Sequence, residues 1–222
     1  MNQNKPKLFD IKHFPMDAGR FLCAPMYIWF NVRRRYLSPE AKNKLRTGAV
    51  IVANHSGFSD PLIVGCTFWY RRMFYLAAEV VMKKKVFGKL LKAMGCIEID
   101  RNICDMEAIR KTISLLKEGH TVTIFPQGGI NREDEMQGIK SGAILMAMQA
   151  KVPVIPLYIH NRDSSDKRNC VVIGNPVTEH ISDSGMPSMN DIEKATQRVF
   201  DSMMECRSLY EKEFGGKSSD NG

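Results

Sequence analysis

The chain has 222 residues, 44% of them hydrophobic and 25% charged, which suits one domain with a sizeable core and excludes collagen-like, low-complexity and disordered proteins. No stretch approaches the roughly 20 apolar residues of a spanning helix, so a polytopic membrane protein is excluded too. The net charge of +8 predicts attraction to polyanions such as nucleic acid, anionic lipid headgroups or phosphate-rich small molecules.

The N-terminal part of the chain combines a polar leader with an aromatic, arginine-rich segment. Residues 1–15 are polar and basic and lack the apolar stretch of a signal peptide. Residues 21–30 are apolar, and Tyr27 and Trp29 precede three consecutive arginines at 33–35. Aromatic rings close to cations favour a helical segment lying in a membrane interface, and a core helix with a solvated charged end is the alternative. We therefore expect an N-terminal leader and membrane-interfacial segment at residues 1–36. We expect the main domain at residues 37–214 and a disordered tail at residues 215–222.

From residue 49 onward, short apolar stretches alternate with segments of helical periodicity. Strands separated by helices pair in parallel through right-handed crossovers. The pattern therefore predicts an α/β fold with a largely parallel central sheet flanked by helices. The predicted strands are residues 49–53, 73–77, 96–99, 121–125, 154–159 and 171–173. The first predicted helix begins near residue 59. The other predicted helices are residues 82–94, 104–117, 141–150 and 191–212.

The segment NHSGFSDP, residues 54–61, directly follows the first of these strands. His55 is therefore expected at the carboxyl edge of the sheet, where the sites of such folds form. A short turn can fold Asp60 back onto the imidazole, which gives a general base oriented by a carboxylate. Histidine suits this role because it takes up and releases protons near neutral pH. In the alternative, Asp60 is only the N-cap of the helix that begins at Pro61, and His55 is a loop residue bonded to backbone.

Three further segments complete a recognisable pattern. They are GCIEIDR at 95–101, FPQGGI at 125–130 and VPVIP at 152–156, the last preceded by KSGA at 140–143. With NHSGFSD, these blocks in this order resemble the PlsC-like glycerolipid acyltransferases, which include the lysophosphatidic acid acyltransferases, over about residues 49–159. The resemblance implies a glycerol-3-phosphate acyltransferase-like fold. It also implies transfer of a fatty acyl group from an acyl thioester to the free hydroxyl of a lysophospholipid, with 1-acylglycerol 3-phosphate as the expected acceptor and phosphatidic acid as the product.

The resemblance assigns roles to residues in three of the four blocks. By it, His55 is the general base and Asp60 fixes its tautomer. By the same resemblance, Arg101 binds the phosphate of the acceptor, because its planar guanidinium can donate two hydrogen bonds to phosphate oxygens at once. In the alternative, Arg101 forms an ion pair with the preceding aspartate or with a loop carboxylate. The backbone amides of Gly128 and Gly129 are candidates for binding phosphate or the oxyanion, although a glycine pair also fits an ordinary tight turn.

The FPQGGI block departs from the family pattern of phenylalanine, proline, glutamate, glycine, threonine and arginine. Gln127 replaces the glutamate, so it can bind substrate through hydrogen bonds but carries no charge. Gly129 and Ile130 replace the threonine and the arginine, and Lys140 or Arg132 can supply the lost phosphate contact. These differences leave two alternatives open. One is the same chemistry on another lysolipid or an amino-acid-based lipid, and the other is a catalytically degenerate protein that binds lipid or acyl carrier protein.

The partners expected from the resemblance are a lysophospholipid, a membrane surface, and acyl-CoA or acyl carrier protein as donor. The donors and many membrane surfaces are anionic, and each Lys or Arg near anionic lipid contributes about 1 kcal/mol. Basic residues at 71–72 and 83–92 fit such partners, although a charged run is also typical of a solvated face.

Several other classes of site and partner are not expected. Direct transfer needs no metal, no cofactor and no covalent enzyme intermediate. No nucleic-acid motif accompanies the positive charge, so nucleic acid is not an expected partner. The six cysteines are scattered without a C-x-x-C pair, which favours reduced thiols. The expected location is the cytoplasmic face of the membrane, with peripheral or monotopic attachment.

Overall fold

Seven strands form one sheet in the computed structural model, which describes residues 14, 16–18, 29–43, 45, 47–83, 85–100, 103, 105–126, 138–162, 167–178 and 187–214. The strands are β1 Arg33–Tyr36, β2 Ala49–Ala53, β3 Met73–Ala78, β4 Cys96–Ile99, β5 Thr121–Ile124, β6 Val154–His160 and β7 Cys170–Ile173. The helices are α1 Asp60–Thr67, α2 Glu79–Met82, α3 Lys85–Ala93, α4 Met106–Lys117, α5 Gly142–Ala150 and α6 Met189–Phe214, with a 3-10 helix at Glu40–Lys42.

The strand order across the sheet is β1-β7-β6-β2-β5-β3-β4. All neighbouring pairs are parallel except β6 and β7, which run antiparallel. The predicted fold class is therefore confirmed, since helices flank a mostly parallel sheet. Strand β2, which directly precedes the segment NHSGFSDP, lies between β6 and β5 in the middle of this sheet.

Strand β2 is the centre of the core, and all five of its residues are buried. Val50 and Val52 pack in one apolar cluster with residues of α4, α5 and α6. Ala49 and Ile51 belong to a second cluster, on the opposite face, with residues of α1. A continuous apolar stretch is what a parallel strand covered on both faces requires, because every side chain leaves water whichever way it points.

Local signals determine both ends of α4. The side chain of Asp105 accepts a hydrogen bond from the amide of Ala108 at 3.0 Å, which caps the first turn. The helix stops before Gly119, whose φ of 88° lies in the left-handed region that glycine adopts without strain. The predicted helix, which ended at this glycine, is confirmed with a start two residues later.

The helix predicted at 82–94 forms as α3 over Lys85–Ala93, and the short helix α2 that precedes it was not predicted. The two helices lie so close together that a Cβ atom on Gly88 would meet the carbonyl oxygen of Met82 at 1.8 Å. A side chain larger than hydrogen at this position would force the two helices apart.

Strand β1 comes from residues that the sequence analysis placed in the membrane-interfacial segment. It pairs in parallel with β7 at the edge of the sheet. Arg35 forms an ion pair with Glu213 at 2.7 Å, and the guanidinium of Arg33 lies 4.1 Å from the ring centre of Phe214. These arginines contact α6 rather than extending toward lipid phosphates as expected. Residues 19–28 lie outside the described part of the chain, and no helix within that part is long and apolar enough to cross a membrane.

Arg71 and Arg72, which the sequence analysis placed in a basic cluster fit for anionic partners, are both buried. The guanidinium of Arg72 donates to both carboxylate oxygens of Asp17, at 2.8 and 2.7 Å. The guanidinium of Arg71 donates to three backbone carbonyl oxygens, those of Leu45, Thr47 and Gly119. The two arginines therefore join loops and the N-terminal residues to the start of β3, and they are not available to a lipid or donor.

Candidate active site

Three polar or aromatic residues lie directly after three neighbouring strands. Asn54 follows β2, Phe125 follows β5, and Asn161 follows β6. Because β2 is parallel to both β5 and β6, the carboxyl ends of all three strands meet at one edge of the sheet. This edge is where ligands bind in open α/β sheets, and the segment with His55 and Asp60 begins here.

His55 and Asp60 are in direct contact. Nδ1 of the imidazole lies 2.7 Å from Oδ2 of the carboxylate, with the His55 side chain 15% exposed and that of Asp60 fully buried. The same oxygen accepts hydrogen bonds from the amides of Ser56 at 2.8 Å and Gly57 at 2.9 Å. Since the carboxylate is an acceptor throughout, Nδ1 of His55 carries the hydrogen, and Nε2 is the acceptor nitrogen of the neutral ring.

Asp60 does not cap α1. It is the first residue of the helix, Ser59 occupies the N-cap position, and no side chain caps the first turn by a hydrogen bond. The carboxylate turns back instead, because the amides of residues 56 and 57 and the imidazole offer it three donors in one place. The N-cap alternative is therefore wrong, and the contact between imidazole and carboxylate is present.

Phe125 supports the imidazole from one side. Its ring lies 4.4 Å from that of His55, centre to centre, with an angle of 24° between the two planes. Phe125 is itself buried in the cluster that includes β2 and α1. The contact therefore restricts rotation of the imidazole and excludes water from one of its faces.

Two asparagines that sequence analysis did not single out hold this segment against β6. The Asn54 side chain donates to the carbonyl oxygen of Ile159 at 2.9 Å and accepts from the Ile159 amide at 2.7 Å. Asn161 donates to Oδ1 of Asp60 at 2.7 Å and to Oγ of Ser56 at 3.1 Å. The signal for both was their position, since each is a polar residue directly after a buried strand.

The other predicted site residues remain apart from this arrangement. Lys140 is exposed shortly before α5, a position open to an anionic ligand. Arg101, Gln127, Gly128 and Gly129 lie outside the described residues. The roles of all five in substrate binding remain predictions.

A buried carboxylate that orients a histidine at the carboxyl edge of a parallel sheet is an arrangement suited to general base catalysis. The family model described as Acyltransferase matches residues 31–160, more than half of the chain, and the chain belongs to this family of enzymes. The matched residues include β1 and the paired His55 and Asp60. They end at His160, the last residue of β6 and the one before Asn161. The protein is therefore an acyltransferase.

Known proteins with related sequences carry a more specific description. The 1-acyl-sn-glycerol-3-phosphate acyltransferase of Bacillus subtilis (strain 168) is 29% identical over 159 residues, which cover 69% of this chain and 78% of that protein. The protein of that description from Streptococcus pneumoniae is 28% identical over 158 residues, which cover 68% of this chain and 57% of the relative. The chain thus spans little more than half the length of the streptococcal relative.

A solved structure shares the fold. The crystal structure of PlsC, the 1-acyl-sn-glycerophosphate (LPA) acyltransferase from Thermotoga maritima, matches with a TM-score of 0.62 over 87% of this chain and 79% of that chain. The two sequences are 18% identical over the match, so the likeness concerns the fold alone.

Proposed function

We propose that the protein transfers a fatty acyl group from an acyl thioester to the free hydroxyl of 1-acylglycerol 3-phosphate, which yields phosphatidic acid and a free thiol. The observation that carries this proposal is the 2.7 Å contact between Nδ1 of His55 and Oδ2 of Asp60 at the carboxyl edge of the sheet. The names of the bacterial relatives support the choice of acceptor.

In this reaction, Nε2 of His55 removes the proton from the acceptor hydroxyl as its oxygen attacks the thioester carbonyl. The tetrahedral intermediate then collapses and breaks the bond between carbonyl carbon and sulfur. The imidazolium returns its proton to the leaving thiolate, so His55 ends the cycle neutral. Asp60 stabilises the imidazolium between these steps, and the enzyme contributes further by holding the hydroxyl against the thioester.

The substrate contacts come from the blocks of the family resemblance. We assign the acceptor phosphate to Arg101 and Lys140, and the oxyanion or phosphate to the amides of Gly128 and Gly129, with Gln127 as a hydrogen-bonding partner beside them. The donor is acyl-CoA or acyl carrier protein. Because the acceptor and the product are both lipids, we place the reaction at a membrane surface on its cytoplasmic face.

The test measures thiol release by purified protein supplied with detergent-dispersed 1-acylglycerol 3-phosphate and palmitoyl-CoA, and then with an acyl carrier protein donor. His55→Ala is expected to lower kcat by about 100- to 10,000-fold, as loss of a general base does. His160→Phe is the matched control, because it removes an imidazole at the end of β6 but keeps an aromatic ring against Tyr210. It is expected to keep its activity.

Two results would overturn the proposal in different ways. Thiol release by His55→Ala at the wild-type rate would reject the mechanism. Faster release with a lysolipid that lacks phosphate would reject the acceptor and the role of Arg101.

A wild-type protein inactive with both donors and a panel of lysolipids would favour a binding protein. In that case Gln127→Glu tests whether the missing carboxylate is the cause, since it should then restore turnover.

A further inference from the structure

Asn161 connects three residues of the segment that runs from residue 54 to residue 60. Its Nδ2 donates to Oδ1 of Asp60 at 2.7 Å and to Oγ of Ser56 at 3.1 Å. Its Oδ1 accepts a hydrogen bond from the hydroxyl of Ser59 at 3.2 Å. The amide therefore uses both of its polar atoms on the segment that carries His55, although Asn161 directly follows β6 and lies about 100 residues further along the chain.

The two oxygens of the Asp60 carboxylate are held by different parts of the protein. Oδ2 is bonded within its own segment, by His55 and by the amides of residues 56 and 57. For Oδ1, Asn161 is the only hydrogen-bond donor among the described residues. A fully buried carboxylate oxygen that loses its donor is costly, so the carboxylate would turn to find another partner. Such a turn would also move Oδ2 away from the imidazole.

We propose that Asn161 is a positioning residue for catalysis, which fixes the rotation of the Asp60 carboxylate and through it the orientation of the His55 ring. This inference rests on the proposed role of His55 as the base. It requires no contact between Asn161 and substrate. It predicts that loss of the Asn161 amide slows turnover without weakening the binding of either substrate.

A second asparagine allows this role to be separated from stability alone. Asn169 is buried, donates to the carbonyl oxygen of Phe30 at 2.6 Å and accepts from the amide of Arg162 at 3.0 Å. It therefore resembles Asn161 in joining segments through both polar atoms of its amide. Its two hydrogen bonds go to backbone groups and not to His55 or Asp60, so Asn169→Ala is the matched control.

The experiment compares Asn161→Ala, Asn161→Asp and Asn169→Ala with wild type and His55→Ala in the thiol-release assay. Asn161→Asp keeps the size of the side chain and replaces the donor with an acceptor. Both Asn161 variants are expected to lower kcat by about 10- to 100-fold, the cost of a misplaced catalytic group, with KM for acceptor and donor unchanged. Asn169→Ala is expected to lower the melting temperature and to keep kcat.

A proton NMR measurement tests the same inference without turnover. The hydrogen on Nδ1 of His55 should give a signal that is absent in His55→Ala. We expect this signal to be shifted or lost by exchange in Asn161→Ala and retained in Asn169→Ala. An unchanged signal together with wild-type kcat in Asn161→Ala would overturn the inference, and so would an equal loss of kcat in Asn169→Ala. A wild-type protein inactive with every donor and acceptor would instead reject the proposed function, and the NMR signal would still decide whether Asn161 orients the pair.

Discussion

The carboxylate of Asp60 is buried, and hydrogen-bond donors of four groups hold it. They are two backbone amides, a side-chain amide and the imidazole of His55. Removing a carboxylate from water is costly unless hydrogen bonds replace those of water. In the proposed mechanism, these donors satisfy the carboxylate without neutralising it, so its charge remains to stabilise the imidazolium that forms when His55 takes up a proton.

Phe125→Leu tests whether the stacked ring contributes to this site. Contacts between aromatic rings of this kind contribute about 0.5–1.5 kcal/mol, so we expect kcat to fall by about 2- to 10-fold while KM is unchanged. Phe74→Leu is the matched control, since Phe74 is also buried and its ring lies against the imidazole of His120, outside the site. Equal kcat values in the two variants would show that stacking does not support catalysis.

The sequence predicted the contact between His55 and Asp60 better than it predicted the residues that support this contact. His55 and Asp60 are five residues apart at the end of an apolar strand, so a single turn is enough to join them. Asn161 could not be assigned to them, because its contact depends on β6 lying next to β2, and no local pattern states which strands are neighbours. The stacking of Phe125 on His55 depends in the same way on β5 lying on the other side of β2.

Among the elements, β1 and β2 show what periodicity can and cannot predict. The five apolar residues of β2 require burial on both faces, and its bounds were predicted from them. The sequence of β1, RRRY, has no apolar alternation and was therefore placed in the membrane-interfacial segment and not in the sheet. It forms a strand because other elements accept its arginines: Arg34 donates to the carbonyl oxygen of Cys66 in α1, and Arg35 pairs with Glu213 in α6.

The buried pair of Asp17 and Arg72 joins the N-terminal residues to the start of β3. Removing one partner leaves the other charge buried, so we expect Asp17→Leu or Arg72→Met alone to lower the free energy of unfolding by about 3–5 kcal/mol. The double variant should lose less than either single variant, because no buried charge is left behind. Urea denaturation of all four proteins measures the coupling.

An exposed ion pair provides the control for this cycle. Glu79 is the first residue of α2, and Lys83 directly follows that helix. Nζ of Lys83 lies 2.7 Å from Oε1 of Glu79, and the two side chains are 68% and 37% exposed, respectively. Such pairs contribute at most about 1 kcal/mol, so Lys83→Ala should have a small effect on unfolding. A cost for Arg72→Met as small as that of Lys83→Ala would contradict the role we give to the buried pair.

At the scale of the whole molecule, the N-terminal residues are held in two separate places. Asp17 binds Arg72 at the start of β3, and β1 covers the edge of β7. Six of the seven described strands and five of the six described α-helices were predicted from the sequence, whereas residues 1–36 were expected to be an addition to that fold. Nothing local to residues 33–36 indicates that they pair with residues 170–173.

Deleting residues 1–37 should therefore destabilise the fold. The deletion exposes the edge of β7 and leaves the Arg72 guanidinium buried without its carboxylate partner. We expect loss of a cooperative thermal transition or aggregation during purification. Deletion of residues 215–222, which lie outside the described residues, should change the melting temperature by no more than about 2 °C. Similar melting curves for the two truncated proteins would contradict this expectation.

The pairing of β1 with β7 also has a consequence for synthesis of the protein. Strand β1 leaves the ribosome first among the strands, and its partner follows roughly 130 residues later. At about 5–20 residues per second, the nascent strand waits about 7–26 s before its neighbour exists. An apolar strand would spend that time exposed to wrong partners, whereas three adjacent arginines keep it hydrated and repel other copies of the same segment. The arginines that join the finished sheet to α1 and α6 therefore also protect the unfinished chain from aggregation.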